Sequence, residues 1–258
     1  MPDQRPWRRT VRIAGAVVVA VVMAAALHDV TSGSARPRIQ ATAPDPLTPS
    51  PSAPASSRDP SASLLAGLIV SDSDVAPTLT VAGLQGGNGL TQPTLDLCNG
   101  TFPSESMRTA RLQVAAVDGQ GDTALSTEAV LYSSGAGTSA AFSELKATSA
   151  ACPSGPVDSP VGQPTVTTHF AAAPDGAWPQ EPSVERLAFA FETTSATGET
   201  SHSIAVYLRR GRVLLGVYFS HPESSTAVVE GHTAIPEIVN VFATRLAKLP
   251  VAAISTTA

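Results

Sequence analysis

Hydrophobic and polar positions alternate with a period of two through the C-terminal half of the chain. Leu187, Phe189 and Phe191 alternate with Arg186, Ala188 and Ala190. The same period returns at Ile204, Val206 and Leu208, then at Val213, Leu215, Val217 and Phe219. Successive side chains of a strand leave opposite faces, so each run predicts a strand. The turn-like SATGETS segment and the tight Arg209-Arg210-Gly211-Arg212 corner separate the runs, which predicts an antiparallel meander. Upstream, Leu112, Val114 and Ala116 alternate with Arg111, Gln113 and Ala115, predicting a strand over 107–117, and a second follows over 127–133. A third strand is placed near 165–171.

The period changes to three and four in two places. Thr138 opens a helix whose Ala141, Leu145, Thr148 and Cys152 share a face. A terminal helix presents Ile235, Ile238, Val239, Phe242, Leu246 and Leu249, with Pro236 in the first turn, where its missing N–H does no harm. A short helical stretch is read over 64–76, with Ser71 or Asp72 available as an N-cap. Residues 83–94 (GLQGGNGLTQPT) read as a loop. The order helix, β, β, α, β, β, β, β, α predicts an α+β domain: an antiparallel sheet of about six strands with helices packed on one face.

The first 63 residues follow a different pattern. Arg5, Arg8, Arg9 and Arg12 precede a purely apolar run, Ile13 to Leu27, which is the signature of export. Fifteen helical residues rise about 22 Å, short of a hydrocarbon core of roughly 30 Å, and that length suits a signal peptide. Small-residue sites for cleavage lie at Ala24-Ala25-Ala26 and Gly33-Ser34-Ala35. A helix extended through Trp7, Val11 and Val30 would instead make an uncleaved anchor, with Trp7 at the interface. Both readings stay open, and both put the rest of the chain outside the cytoplasm. Without a cysteine after the run to accept an acyl chain, a lipoprotein is not expected. Residues 33–63 are rich in Pro, Ala and Ser and read as an extended linker. The division is therefore a basic segment with anchor or signal peptide (1–32), a linker (33–63), an extracytoplasmic domain (64–250) and a disordered tail (251–258).

Composition narrows the partners. The chain carries a formal net charge of -5. Four arginines and two aspartates lie in the first 35 residues, leaving 12 basic and 19 acidic side chains beyond them. That acidic balance argues against nucleic acid and against anionic lipid head groups. Lysine occurs only as Lys146 and Lys248. With so much Ala, Val, Gly and Pro, this bias points to a high-GC bacterial genome. Cys98 and Cys152 are the two cysteines, both in the exported part, where a lone pair predicts one disulfide. A redox pair would favour a C-x-x-C spacing, which is absent.

Candidate catalytic chemistry is sparse. His169, His202, His221 and His232 show no metal-binding spacing, and only His221 has a nearby acid, Glu223. No G-x-S-x-G elbow appears, and the glycines of 83–94 lack the Lys-Ser/Thr pair of a phosphate loop. Asp72 and Asp74 read as capping groups before they read as cation ligands. Arg209, Arg210 and Arg212 at a hairpin corner read as a solvated turn before an anion site. No catalytic residue, metal or cofactor is expected.

The stretches LDLCNGTFPSESMRTARLQV (95–114), EAVLY (128–132), AAFSELKATSAACP (140–153) and YLRRGRVLLGVY (207–218) together resemble actinobacterial exported sensor domain-containing proteins. More distantly they are similar to the PknH-like extracellular sensor domain of bacterial Ser/Thr kinases. The resemblance covers most of residues 64–249. It implies a leader or span and a Pro-rich linker ahead of an α+β sensor domain, and a bridged cysteine at the end of the first long helix, the place of Cys152. Those kinase sensors carry two disulfides, whereas one is possible here, and no kinase domain is expected ahead of the apolar run. The resemblance carries over no ligand-binding residue.

The expectation is thus an extracytoplasmic, sensor-like binding module without catalytic activity, membrane-tethered or secreted, with an unknown ligand or envelope protein as partner. A polar cleft beside the sheet and the 83–94 loop is its expected site. The alternatives are a structural or cell-wall-associated envelope protein and, third, an exported hydrolase using the histidines.

Overall fold

The computed structural model describes residues 60–158, 167–173, 175–195 and 197–255. The basic segment, the apolar run and the linker up to residue 59 lie outside the described residues, as do 256–258. Among the described residues no helix is long and apolar enough to cross a membrane.

The domain is built on one antiparallel sheet. Its strands are β1 (Thr80–Gly83), β2 (Arg108–Val117), β3 (Thr123–Tyr132), β4 (Val157–Asp158), β5 (Thr167–Ala172), β6 (Glu185–Thr194), β7 (Thr200–Arg210) and β8 (Val213–Ser220). Their spatial order is β1-β2-β3-β8-β7-β6-β5-β4. The helices are α1 (Pro60–Ala66), α2 (Gly135–Ala151), α3 (Ile235–Ala247) and α4 (Val251–Ile254). The α+β class, the antiparallel sheet and the meander of β6, β7 and β8 are as the alternation predicts. The sheet is wider than about six strands because it gains two short edge strands, β1 and β4, too brief to carry a period of two.

The expected single helical layer is corrected: helices cover both faces. Val206 and Leu208 of β7 pack with Ile238, Val239, Phe242 and Leu246 of α3, and with Leu65 of α1. Ala205 and Tyr207 of the same strand pack instead with Ala141, Phe142 and Leu145 of α2. Neighbouring residues of a strand leave opposite faces, so α2 and α3 are separated by the sheet. Strand β8 is therefore apolar at almost every position, and Val213–Phe219 is buried throughout. That near-continuous apolarity is the sign of two-sided burial.

Two helical expectations shift. The first helix spans Pro60–Ala66, upstream of the expected 64–76. Ser71 and Asp72 cap no helix: the Ser71 N–H donates to Asp74 Oδ2 and the Val81 N–H to Asp72 Oδ1, so they shape a turn leading into β1. α2 begins three residues before Thr138, with Ser134 as N-cap accepting from the Gly137 N–H at 3.3 Å. The expected tail is ordered through Ser255. α4 follows Pro250, and Ile254 is buried, its carbonyl accepting the Arg212 N–H. Gly211, at φ 56°, occupies the two-residue β7–β8 turn, and a Cβ there would stand 2.6 Å from that same carbonyl. Glycine at this corner thus serves both the turn and the docking of the C-terminus.

The α2 face holds a polar core. Arg111 on β2 and Glu128 on β3 form an ion pair that is almost wholly buried. Thr94 Oγ1 and Tyr218 Oη donate to the same carboxylate at 2.7 and 2.9 Å. Burial and then the Glu128 carboxylate raise the Tyr218 phenol well above its ordinary range, so it stays a donor. Gly216 faces Glu128 across the β3–β8 pair, and the Tyr218 ring lies over it. A Cβ at Gly216 would overlap the Tyr218 hydroxyl and ring carbons. Gly216→Ala is therefore expected to cost about 1–3 kcal/mol, read from urea unfolding, as the ring is forced off its acceptor. An unchanged midpoint would show that the ring has room to give.

Candidate functional site

An open cleft of about 760 Å³ lies on the α3 face, where β5, β6 and β7 run out from beneath the helix. Ala171, Ala190 and Ile204 form its floor, one from each strand. Their registers place them side by side: Ala171 pairs with Ala190, and Ala190 with Ile204. Ile235 and Pro236 at the start of α3 close one side, and Trp178 from the β5–β6 connection closes another. Arg186 fixes that tryptophan, stacking 5.7 Å from the ring centre while it binds Asp175 Oδ2 at 3.0 Å and the Pro179 carbonyl at 2.6 Å.

A polar row crosses the cleft two residues further along the same strands. His169 pairs with Glu192, and Glu192 with His202, so the three side chains share one face. His202 Nε2 lies 3.1 Å from Glu192 Oε2, and its Nδ1 lies 3.5 Å from Glu223 Oε1. Glu223 belongs to the 3₁₀ turn Pro222–Ser224, which begins after His221 in a left-handed conformation (φ 48°). That turn swings Glu223 toward His202 and closes the third side, with Ser224 and Ser225 at the rim. His202, Glu192 and Glu223 are each about half exposed, so the row is open to solvent and to a ligand.

The structure sorts the residues singled out in the sequence. Among the histidines it brings His169 and His202 into the cleft. His232 turns away to Glu237 at 3.3 Å, and Glu223 meets His202 where the sequence placed it beside His221. Among the described residues no group of three or more His, Cys, Asp or Glu could hold a metal ion. Asp74 is tied to Arg245 at 2.7 Å. Burial would raise its carboxyl, but hydrogen bonds from Arg245 and Ser71 outweigh it and hold the group below the usual range. The arginines of the corner are engaged within the domain: Arg209 pairs with Glu185, although its buried Nε has no acceptor among the described residues, Arg210 donates to the Leu246 and Leu249 carbonyls at the end of α3, and Arg212 to the Ala253 carbonyl. Arg210 there complements the negative end of the helix.

The 83–94 loop, beside which the sequence places the site, is held by buried arginines and Glu105. Arg111 Nη1 donates to the Gly86 carbonyl, and Arg108 to the Gln92 and Leu90 carbonyls at 2.8 and 2.7 Å. Glu105 accepts the Thr94 and Leu95 N–H groups. The loop is a clamped cover over the polar core, and the cleft lies elsewhere on the sheet. Trp178, Glu192 and the floor alanines were not singled out as site residues by sequence reasoning. A signal existed for one pair: the short β6–β7 turn fixes Thr194 opposite Thr200, which sets Glu192 opposite His202.

Cys98 and Cys152 form the expected disulfide, with Cα atoms 5.7 Å apart. It joins the segment after the loop to the C-cap of α2.

No protein-family model matches the chain, and no curated protein matches it. Among solved structures, the chain is similar to the extracellular domain of PknH from Mycobacterium tuberculosis, at 10% sequence identity and a TM-score of 0.44. The match covers 72% of this chain and 96% of that one.

Proposed function

We propose that the chain is an extracytoplasmic, sensor-like binding module without catalytic activity, anchored at or secreted from the membrane by its N-terminal segment, and that its ligand occupies the cleft on β5, β6 and β7. The observation that carries this reading is the cleft itself: an apolar floor on rigid strands beneath a few polar groups, the usual make-up of a small-molecule site. A disulfide suits an oxidising compartment outside the cytoplasm. A non-catalytic role fits the histidine geometry. A general base needs a ring nitrogen free to take a proton from a nucleophile, whereas both nitrogens of His202 face carboxylates.

The test is a thermal-shift screen of the full oxidised chain against sugars, cell-wall fragments, lipids, amines and small anions. A ligand at 100 times its dissociation constant adds about 2.7 kcal/mol of stability. For a domain of this size, that raises the melting temperature by roughly 5–10 °C. Ala171→Trp, which fills the cleft from an exposed floor position, is expected to abolish the shift and leave a cooperative melt. A hit that survives this substitution, or no hit on well-folded protein, overturns the cleft as the site.

A further inference from the structure

We infer that the cleft selects organic ammonium ligands: an apolar body on the Ala171–Ala190–Ile204 floor and a protonated amine at the Glu192–His202–Glu223 row. The inference rests on the cleft reading above and names the class of ligand. Three observations carry it. The residues lining the cleft include two carboxylates and two imidazoles but no lysine or arginine, so with its imidazoles neutral the rim bears two negative charges. Those carboxylates come from different elements and flank the two ring nitrogens of His202 at the rim. An ammonium group entering the rim on either side of His202 would meet a carboxylate.

The third observation removes the obvious competitor. The start of α3 opens on the cleft, and a helix N-terminus attracts anions through its free N–H groups. Here Pro236 has no N–H to give, and the Glu237 and Ile238 N–H groups both donate to the Ala234 carbonyl at 3.0 Å. Glu237 also places a carboxylate in that first turn. The helix end is poorly furnished for an anion, and the acidic rim would repel one.

The experiment is isothermal titration of the full oxidised chain with three ligands of matched shape: 3-phenylpropylamine, 3-phenylpropanol and 3-phenylpropanoate. The amine is expected to bind at least tenfold more tightly than the alcohol, and the carboxylate more weakly than either. Glu192→Gln with Glu223→Gln should lower amine affinity about tenfold and leave the alcohol unchanged, the sum of two half-exposed ion pairs. Both glutamates are half exposed, so folding is not at stake. Raising the salt concentration on the unsubstituted protein should weaken the amine alone, an arm that needs no variant. Equal affinity for the three ligands, or amine binding indifferent to both the double variant and salt, overturns the cationic class. Where the cationic class is overturned in this way but Ala171→Trp blocks all three ligands, the cleft stands and its charge preference alone falls. If Ala171→Trp blocks none, the cleft reading falls with it.

Discussion

Replacing Glu128 with alanine is expected to destabilise the fold by about 3–5 kcal/mol, the largest effect of any single substitution on the α2 face. The carboxylate balances the buried Arg111 guanidinium, whose side chain is 1% exposed. It also accepts from Thr94 and Tyr218. Alanine would strand a cation in the interior together with two donors that lose their acceptor. With a urea dependence of about 2 kcal/mol per molar, the unfolding midpoint should fall by roughly 2 M. The informative control is the double change Arg111→Met with Glu128→Leu. It removes both charges at similar volume and should restore much of the stability, because most of the single-variant loss is the penalty of an unpaired charge. A loss below about 1 kcal/mol for Glu128→Ala would mean that Arg111 finds water, and the buried pair would lose its assigned weight.

Reducing the Cys98–Cys152 bridge should cost about 4 kcal/mol. The two cysteines are separated by 54 positions, and the chain-entropy cost of a loop that long gives this figure. The local backbone adds a second reason. Cys98 and Asn99 are successive non-glycine residues in the left-handed region, at φ 52° and 58°. That conformation is held against its own preference only while the surroundings over-determine it. The bridge supplies part of that restraint, tying the segment to the end of α2 just beyond the clamped 83–94 loop. Unfolding in urea with and without reductant measures the difference, and Cys98→Ala with Cys152→Ala should match the reduced protein. Equal midpoints in the two conditions would show that the helix and loop hold each other without it.

Alternation made the sheet legible because the registers of β6, β7 and β8 are set by short turns and each strand has enough residues to show a period. The same logic misled about layers. In a strand buried on one side, the residues between the apolar ones are polar. In β7 and β8 they are Ala205, Tyr207, Leu214 and Tyr218, which already report a second covered face. α2 was recognisable, but its place on the opposite face was not, because the chain leaves β3 mid-sheet and crosses to the far edge before β4. Helix α1 was displaced because its seven residues contain little periodicity, and the polar Ser71–Asp74 turn resembles a cap. The cleft was least legible of all. His169 reaches it through the pairing of β5 with β6, across a long connection whose register no local turn determines. Glu223 arrives through a left-handed residue at His221 that nothing in its side chain announces.

Covering both faces turns β7 into a partition one backbone thick. Odd-numbered Ala205 and Tyr207 belong to the buried polar compartment; even-numbered His202, Ile204 and Val206 belong to the cleft and the α3 core. Insertion of one residue here would exchange the two inventories, sending the Tyr207 hydroxyl among the aliphatics of α3 and removing the imidazole from the ligand's side. Evolution can therefore lengthen this domain at the outer strands or in the β5–β6 connection, but its middle has no spare residue to move.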